Sequence, residues 1–467
     1  MDDQAMPAHS CRACAFALAI IAVSAVVARA AWTGATTGTT NDTAHSYLTK
    51  INWNNGSPEL TFAPSLTGNT TVYFSADWTT GGAWTLAPSG AQPLTLLGGG
   101  TVNADGGAVA SADHKITLSG NPTIGGVNSQ TITFGTATAN FGLGVSIGSG
   151  ARTITTVRGS GTGPDVQILG VLSGGGIGAT LAFTGSASPA GIFLLANGNN
   201  SFTAPVTVNA GTLLLGANAT TGAGNTVLGG GAALVTVGDT TTTGQNAALL
   251  SYGPYTIGRN ITVRTGNTGT ITLGGAQASG VSTFTGTVSL GKDTTLQALG
   301  SSEVALTGVL QGDPAAKVFV AGGGTVRLGG ANTYPGGTTV KTGGRAKITG
   351  SVAWTSGVTV EPGANLELAG ASGSLASTIA VTNNGALLVT QPAVAGAIGG
   401  SGTTTVDSTL SAASIVQNAL SIGPGGAVTI RETTAVAAGG TSAVPEPSVF
   451  VLLLSAIAGA LLLRKRP

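Results

Sequence analysis

The sequence predicts an all-β protein, a right-handed parallel β-helix (solenoid) of about 20 residues per coil. Three observations carry this expectation. Glycine is extreme, at 77 of 467 residues, and with threonine it separates short clusters of Val, Ile and Leu; that is how short strands joined by tight turns read. The glycines keep no three-residue period, which excludes collagen. A strand–turn–strand pattern recurs about every 20 residues, and nothing around it has the long amphipathic spacing of helical repeats.

The repeat is clearest in five segments: VFVAGGGTVRL (Val318 to Leu328), TTVKTGGRAKI (Thr338 to Ile348), VTVEPGANLEL (Val358 to Leu368), IAVTNNGALLV (Ile379 to Val389) and LSIGPGGAVTI (Leu420 to Ile430). Each has two same-face residues, a glycine-containing turn and two more same-face residues. Anchors at Val320, Val340, Val360, Val381 and Ile422 are 20, 20, 21 and 41 residues apart, the last step covering two rungs with Thr403 to Leu410 between. Ala298, followed by Val304 and Leu306, extends the series backward by 22. Strands this short suit one coil stacked on the next at roughly 4.8 Å. Alternation sends Val358, Val360, Leu366 and Leu368 inward and Thr359 and Glu367 outward. Ala204 to Gly216 fits the same template with a shorter turn, while the segments around Ile132, Ile154, Val171 and Ile271 look like strands without a clear register. The expected organisation is therefore a signal peptide (1–30), an aromatic-rich β cap (31–130), an irregular β-solenoid (131–297), regular β-helix repeats (298–432), a linker (433–443) and a C-terminal signal with a short hydrophobic helix (444–467).

The N-terminus has the form of a secretory signal. Ala13 to Val27 is apolar, and Ala28-Arg29-Ala30 gives the small-x-small pattern cleaved by signal peptidase; the alternative is an uncleaved membrane anchor. Both cysteines, Cys11 and Cys14, lie in this segment, so its removal leaves no thiol, no disulfide and no soft metal ligand. The adjoining region holds Trp32, Trp53, Trp78 and Trp84, four of the five tryptophans. Two readings stand: a cap covering the unpaired end of the solenoid, or a carbohydrate-binding face of flat rings.

Charge is sparse and balanced, 18 basic against 17 acidic residues, which gives no electrostatic reason to expect nucleic acid as a partner. Catalytic patterns fail on context. Gly144 to Gly148 (GVSIG) matches a serine nucleophile elbow, but no helix comes after it. Gly286 to Asp293 (GTVSLGKD) resembles a phosphate loop until Asp293 stands where Ser or Thr is needed, so it reads as a strand and corner. Asp105, Asp113 and His114 read as a solvated loop, His45 has no partner pattern, and no cluster has zinc spacing. No catalytic residue, cofactor or metal is expected. The register instead pairs charges between coils: Lys341 with Glu361 and Lys347 with Glu367, with Arg327 beside Lys347 as the one like-charge step.

Gly322 to Gly344 (GGGTVRLGGANTYPGGTTVKTGG) resembles the autotransporter-associated β-strand repeat, centred on Asn332-Thr333-Tyr334. Ala196 to Gly216 is a looser copy, with Asn200-Ser201-Phe202 in that place. The resemblance implies an extended β-helical stalk at a cell surface. No translocating barrel pattern comes after the repeats. The chain closes instead on Val444-Pro445-Glu446-Pro447-Ser448, an apolar run from Val449 to Leu463, and Arg464-Lys465-Arg466, which resembles the PEP-CTERM sorting signal. The run is short for a hydrocarbon core that takes about 20 residues, and the basic triplet favours the cytoplasmic side. The resemblance implies a membrane-embedded, exosortase-like processing enzyme as partner, cutting near Pro445–Pro447; a plain C-terminal membrane tether is the alternative.

These readings together lead to an exported, non-enzymatic, adhesin-like structural protein of the cell surface or extracellular matrix, facing extracellular polysaccharide. The competing expectation is a β-helix polysaccharide lyase or hydrolase, or a carbohydrate-binding surface protein. An enzyme would place carboxylates at equal register on adjacent rungs, and the sequence shows no such cluster.

Overall fold

The computed structural model describes the strands Ser65–Phe74, Ala83–Leu86, Thr95–Ala104 and Lys115–Leu118 and, from 120 to 431, all but 126–130, 136–143, 186–189, 221–223, 232, 241–243, 353 and 371–373; side chains are described from Leu118 onward. The signal segment with Ala28 and Ala30, Trp32, Trp53, Trp78, and the C-terminal signal with its hydrophobic run lie outside the described residues. Among the described residues there is no helix, and so none long and apolar enough to cross a membrane.

The chain winds as a three-sided parallel β-helix. One side stacks Thr123–Gly125, Arg152–Val157, Leu181–Gly185, Val206–Val208 and onward to Leu310–Gly312. A second side runs from Ile132–Phe134 to Val381–Asn383. A third holds Ala83–Leu86 through Leu172–Ser173, then resumes at Thr256–Ile257 and continues to Ala419–Ile422. Every pair is parallel, as a chain that always winds in one sense requires. Strands Ser65–Phe74 and Thr95–Ala104 pair in the same way, and the latter continues into Thr123–Gly125 and Ile132–Phe134, so the ladder extends back to Ser65.

The most regular coils show how sequence sets the shape. Val320, Val340 and Val360 stack directly on the second side, and Val326, Ala346, Leu366 and Leu387 on the third. All are at most 3% exposed, while Thr359 and Glu367 lie on the outer surface as alternation requires. The two sides meet at a tight turn. In Glu361-Pro362-Gly363-Ala364, proline fixes the second position, Gly363 takes φ 74°, and Ala364 N–H donates to the Glu361 carbonyl at 3.0 Å. This is type II turn chemistry, in which a Cβ at the third position would be strained.

Several positions depart from the expected register. Leu296, not Ala298, is the rung partner of Val320. Val381 stacks on Val358, which places Asn383 in the column of Val360. The buried amide is satisfied there, donating to the Thr403 carbonyl at 2.8 Å and to Gln417 Oε1 at 2.7 Å. Ile422 is not a second-side anchor: Val389, Val406 and Ile422 stack on the third side, in coils shorter than those before them. Ala427–Ile430 then lies on Thr409–Ala412, one side further round. The Gly423-Pro424-Gly425-Gly426 turn repeats the earlier corner, with Gly425 at φ 83°. A strand–turn–strand pattern identifies a corner without saying which one. Ala204 to Gly216 illustrates the same point, since Val206–Val208 and Gly211–Leu215 join the first side to the second.

Upstream, the ladder is continuous but the coils are unequal. On the second side Ile132 pairs with Val166, Val166 with Phe193, Phe193 with Leu213 and Leu213 with Leu249, steps of 34, 27, 20 and 36 residues. Loops of different length absorb the difference, and this hides the register in the sequence. Leu194, Leu214 and Leu250 break the inside–outside alternation and form a small apolar cluster apart from the lumen.

The two Asn-x-aromatic segments share one structural role. Asn200 Oδ1 accepts from Leu172 N at 2.7 Å, and Asn332 Oδ1 accepts from Leu310 N at 2.9 Å. Each asparagine substitutes for a backbone carbonyl on the adjoining coil where no strand continues, while Phe202 and Tyr334 fill the lumen. Tyr334 Oη lies 2.7 Å from Thr338 Oγ1, and burial pushes its pKa up to about 12.

This packing makes two outcomes testable. Val360→Asp buries a carboxylate against Val340 on one side and, on the other, Asn383, whose amide already donates to Thr403 and Gln417. It is expected to cost several kcal/mol, and limited proteolysis is expected to show new cutting confined to the neighbouring coils, while Thr359→Asp is expected to remain resistant. Equal sensitivity of the two would contradict the inward and outward assignment. Tyr334 is the second case. Its phenol ionises near 10 when unfolded and at about 12 when folded, so its contribution is complete below pH 10 and is lost as pH rises towards 12. Melting temperature measured across that window is expected to fall more steeply in the wild type than in Tyr334→Phe.

Candidate functional site

The outer face of the third side carries Glu303, Arg327, Arg345, Lys347 and Glu367 on consecutive coils, and the register determines what they can do. Ala305, Arg327, Lys347, Glu367 and Leu388 form one outward column. Lys347 Nζ donates to Glu367 Oε1 at 3.1 Å, and Lys341 Nζ to Glu361 Oε1 at 2.9 Å, the two pairs expected from sequence. The like-charge step between Arg327 and Lys347 is present, and Arg327 Nε donates diagonally to Glu303 Oε1 at 2.5 Å. Sequence reasoning missed this partner because Glu303 stands two positions out of column, opposite Thr325. Glu361 also accepts from Thr342 N at 2.9 Å; the Lys341 hydrogen bond first, and this backbone bond second, hold its carboxyl below the usual range.

Most of the other described carboxylates are also engaged. Asp165 is buried and takes Arg158 Nη1 at 3.0 Å, Gly159 N at 2.7 Å and Ile192 N at 2.7 Å, tying a glycine-rich loop to the next coil. Asp239 meets Arg264 at 3.4 Å. Asp293 Oδ1 accepts from Lys317 N, and Asp313 Oδ1 from Ala315 N, both at 2.8 Å. No group of three or more His, Cys, Asp or Glu that could hold a metal occurs among the described residues.

The motif-like segments resolve into coil elements. Ser146 ends the strand Gly144–Ser146 and is 7% exposed, with its hydroxyl accepting from Gly148 N at 3.3 Å. Gly286 to Asp293 contains the strand Val288–Leu290 and the corner after it, and Lys292 Nζ donates to the carbonyls of Asn267, at 2.6 Å, and Gly269. Its donors are directed at backbone, not arranged around a phosphate. Asp105, Asp113, His114 and His45 lie outside the described residues, as do Pro445, Glu446, Pro447, Arg464, Lys465 and Arg466.

One cation was not foreseen. Arg259 is 1% exposed, and its Nη2 reaches the Gly229 carbonyl at 2.7 Å and Thr226 Oγ1 at 3.2 Å. Nε and Nη1 have no hydrogen-bond partner among the described residues, and burial lowers its pKa. Its neighbours come from the preceding coil, through a contact with no local sequence signal.

The exposed pairs contribute little each. A double-mutant cycle on Lys347→Ala and Glu367→Ala is expected to give a coupling of about 0.2–1 kcal/mol at low salt, falling towards zero near 1 M salt, where the screening length is about 3 Å. Salt-independent coupling would show that the pair acts through packing.

Comparison with protein-family models, curated proteins and solved structures finds no match to this chain. The chemistry of its own surface is therefore the basis for a functional reading.

Proposed function

We propose that this chain is a non-enzymatic structural rod of the cell surface or extracellular matrix, exported by its N-terminal segment and sorted through the C-terminal Pro445-Glu446-Pro447 signal by a membrane-embedded processing enzyme. The observation that carries the reading is the use of charge: in the regular coils Arg327, Lys341 and Lys347 are bonded to carboxylates of adjacent coils. General acid–base work on a polysaccharide needs a carboxyl group free to exchange its proton beside a second one. Glu303, Glu361 and Glu367 are held by cations, and Asp165 has backbone and guanidinium donors on both oxygens. A surface of ion-paired rungs, threonines and glycines suits a spacer.

The test uses the protein recovered from producing cells. Its intact mass is expected to correspond to a chain beginning near Ala31 and ending close to Pro445–Pro447, and the same preparation is expected to release neither reducing nor unsaturated ends from common polysaccharides. A sole stable species retaining Leu461 to Arg466 would favour a permanent anchor. Release of ends that is lost on changing a single Asp or Glu would replace the structural reading with the enzymatic one.

A further inference from the structure

A groove of about 470 Å³ lies on the outer surface where three consecutive coils meet. Its walls include Thr268 and Thr270 from one coil, Lys292, Asp293 and Thr295 from the next, and Phe319 from the third. The coils are in direct register: Ile271 stacks on Thr294 and Thr294 on Val318, which brings Thr272, Thr295 and Phe319 into one outward column. The corner contributing Lys292 and Asp293 belongs to the segment whose sequence imitates a phosphate loop.

We infer that this groove binds a neutral oligosaccharide. Phe319 is the one aromatic ring in a column that is threonine on the flanking coils, Thr272 and Thr295 before it and Thr339 and Thr359 after it. It is pinned from one direction: Lys341 Nζ, on the following coil, lies 4.8 Å from the ring centroid and is itself held by Glu361. The groove lies towards the preceding coils, so the ring forms a fixed apolar wall for the C–H face of a sugar. Thr268, Thr270 and Thr295 supply hydroxyls that both donate and accept, matching sugar hydroxyls. Asp293 uses one oxygen on Lys317 N, and its second oxygen is an acceptor for sugar O–H groups.

Other ligand classes fit less well. An anion would face the Asp293 carboxylate, while the Lys292 ammonium is directed at the Asn267 and Gly269 carbonyls. An extended peptide would need an unpaired strand edge, and the middle rung here, Thr294–Gln297, is paired on both sides. With Asp293 as the one carboxylate among the described residues that line it, the groove has the composition of a binding site without a second acid for hydrolysis. Sugar binding here does not depend on export and stands apart from the reading above.

The full chain would be titrated, by calorimetry and saturation-transfer NMR, with hexasaccharides of β-1,4-glucan, β-1,3-glucan and β-1,4-mannan, and with a hexagalacturonate as the charged counterpart. At least one neutral hexasaccharide is expected to bind more tightly than the galacturonate. Phe319→Ala is expected to weaken that binding roughly tenfold, and Asp293→Ala severalfold. Thr359→Ala, two coils further along the same column, is expected to leave it unchanged. Should Phe319→Ala disturb folding, as judged by its thermal transition, Phe319→Leu keeps the apolar bulk and removes the flat face. Failure of every neutral oligosaccharide to bind, preference for galacturonate, or binding indifferent to both the Phe319 and Asp293 changes would overturn the inference; the last result would place the sugar elsewhere on the chain.

Discussion

Hydrogen bonding between the backbones of successive coils is the constraint on which the rest of this structure depends. Each strand is three to seven residues long over most of the described chain and could not persist alone. It persists because its N–H and C=O groups are met on both sides by neighbouring coils, and because that stacking closes a lumen in which Val, Ile and Leu repeat in columns. Side chains are selected to allow the stacking: β-branched residues inward, small or hydroxylated residues outward, and glycine where a corner needs φ above zero, as at Gly343 and Gly363. Where a strand is missing, as at Asn200 and Asn332, a side-chain amide takes the place of the missing backbone group. Buried polar atoms in the columns likewise have partners, Thr338 through Tyr334 and Asn383 through Gln417.

The parts of this fold legible in the sequence were those set by local chemistry repeated at constant spacing. Val320, Val340 and Val360 recur at equal intervals, the last two with the same glycine-third turn between the two sides, so alternation, corner and ion pairs could all be read together. Legibility failed where coil length changed. Asn383 replaces valine in its column, and a polar residue there gives no hydrophobic signal. Ile422 belongs to a different side because the two coils before it are shortened. Upstream, the 36-residue step from Leu213 to Leu249 separates rungs that touch in space.

For the surface, legibility followed the same division. Lys341–Glu361 and Lys347–Glu367 are vertical neighbours and can be found by counting. Glu303 with Arg327 is diagonal, and Arg259 with the Gly229 carbonyl depends on a loop of the preceding coil, so neither has a periodic signature. The groove around Phe319 combines both kinds of information. Its column could be counted, but its concavity depends on the corners at Thr268–Thr270 and Gly291–Asp293, whose relative placement belongs to three dimensions.

The direction of the ladder bonds has a mechanical consequence. Because each coil lies across the long axis, its hydrogen bonds to the coils above and below point along that axis. Tension applied between the ends would load these bonds in line and open them rung by rung, as a zipper opens, instead of shearing a whole sheet at once. Such a body yields at low, steady force under extension, while compression closes the same contacts. Unequal coils such as the one between Leu213 and Leu249 would release more chain per rung than the one between Val320 and Val340, giving a stretched molecule a sequence of unequal extensions ordered along its length.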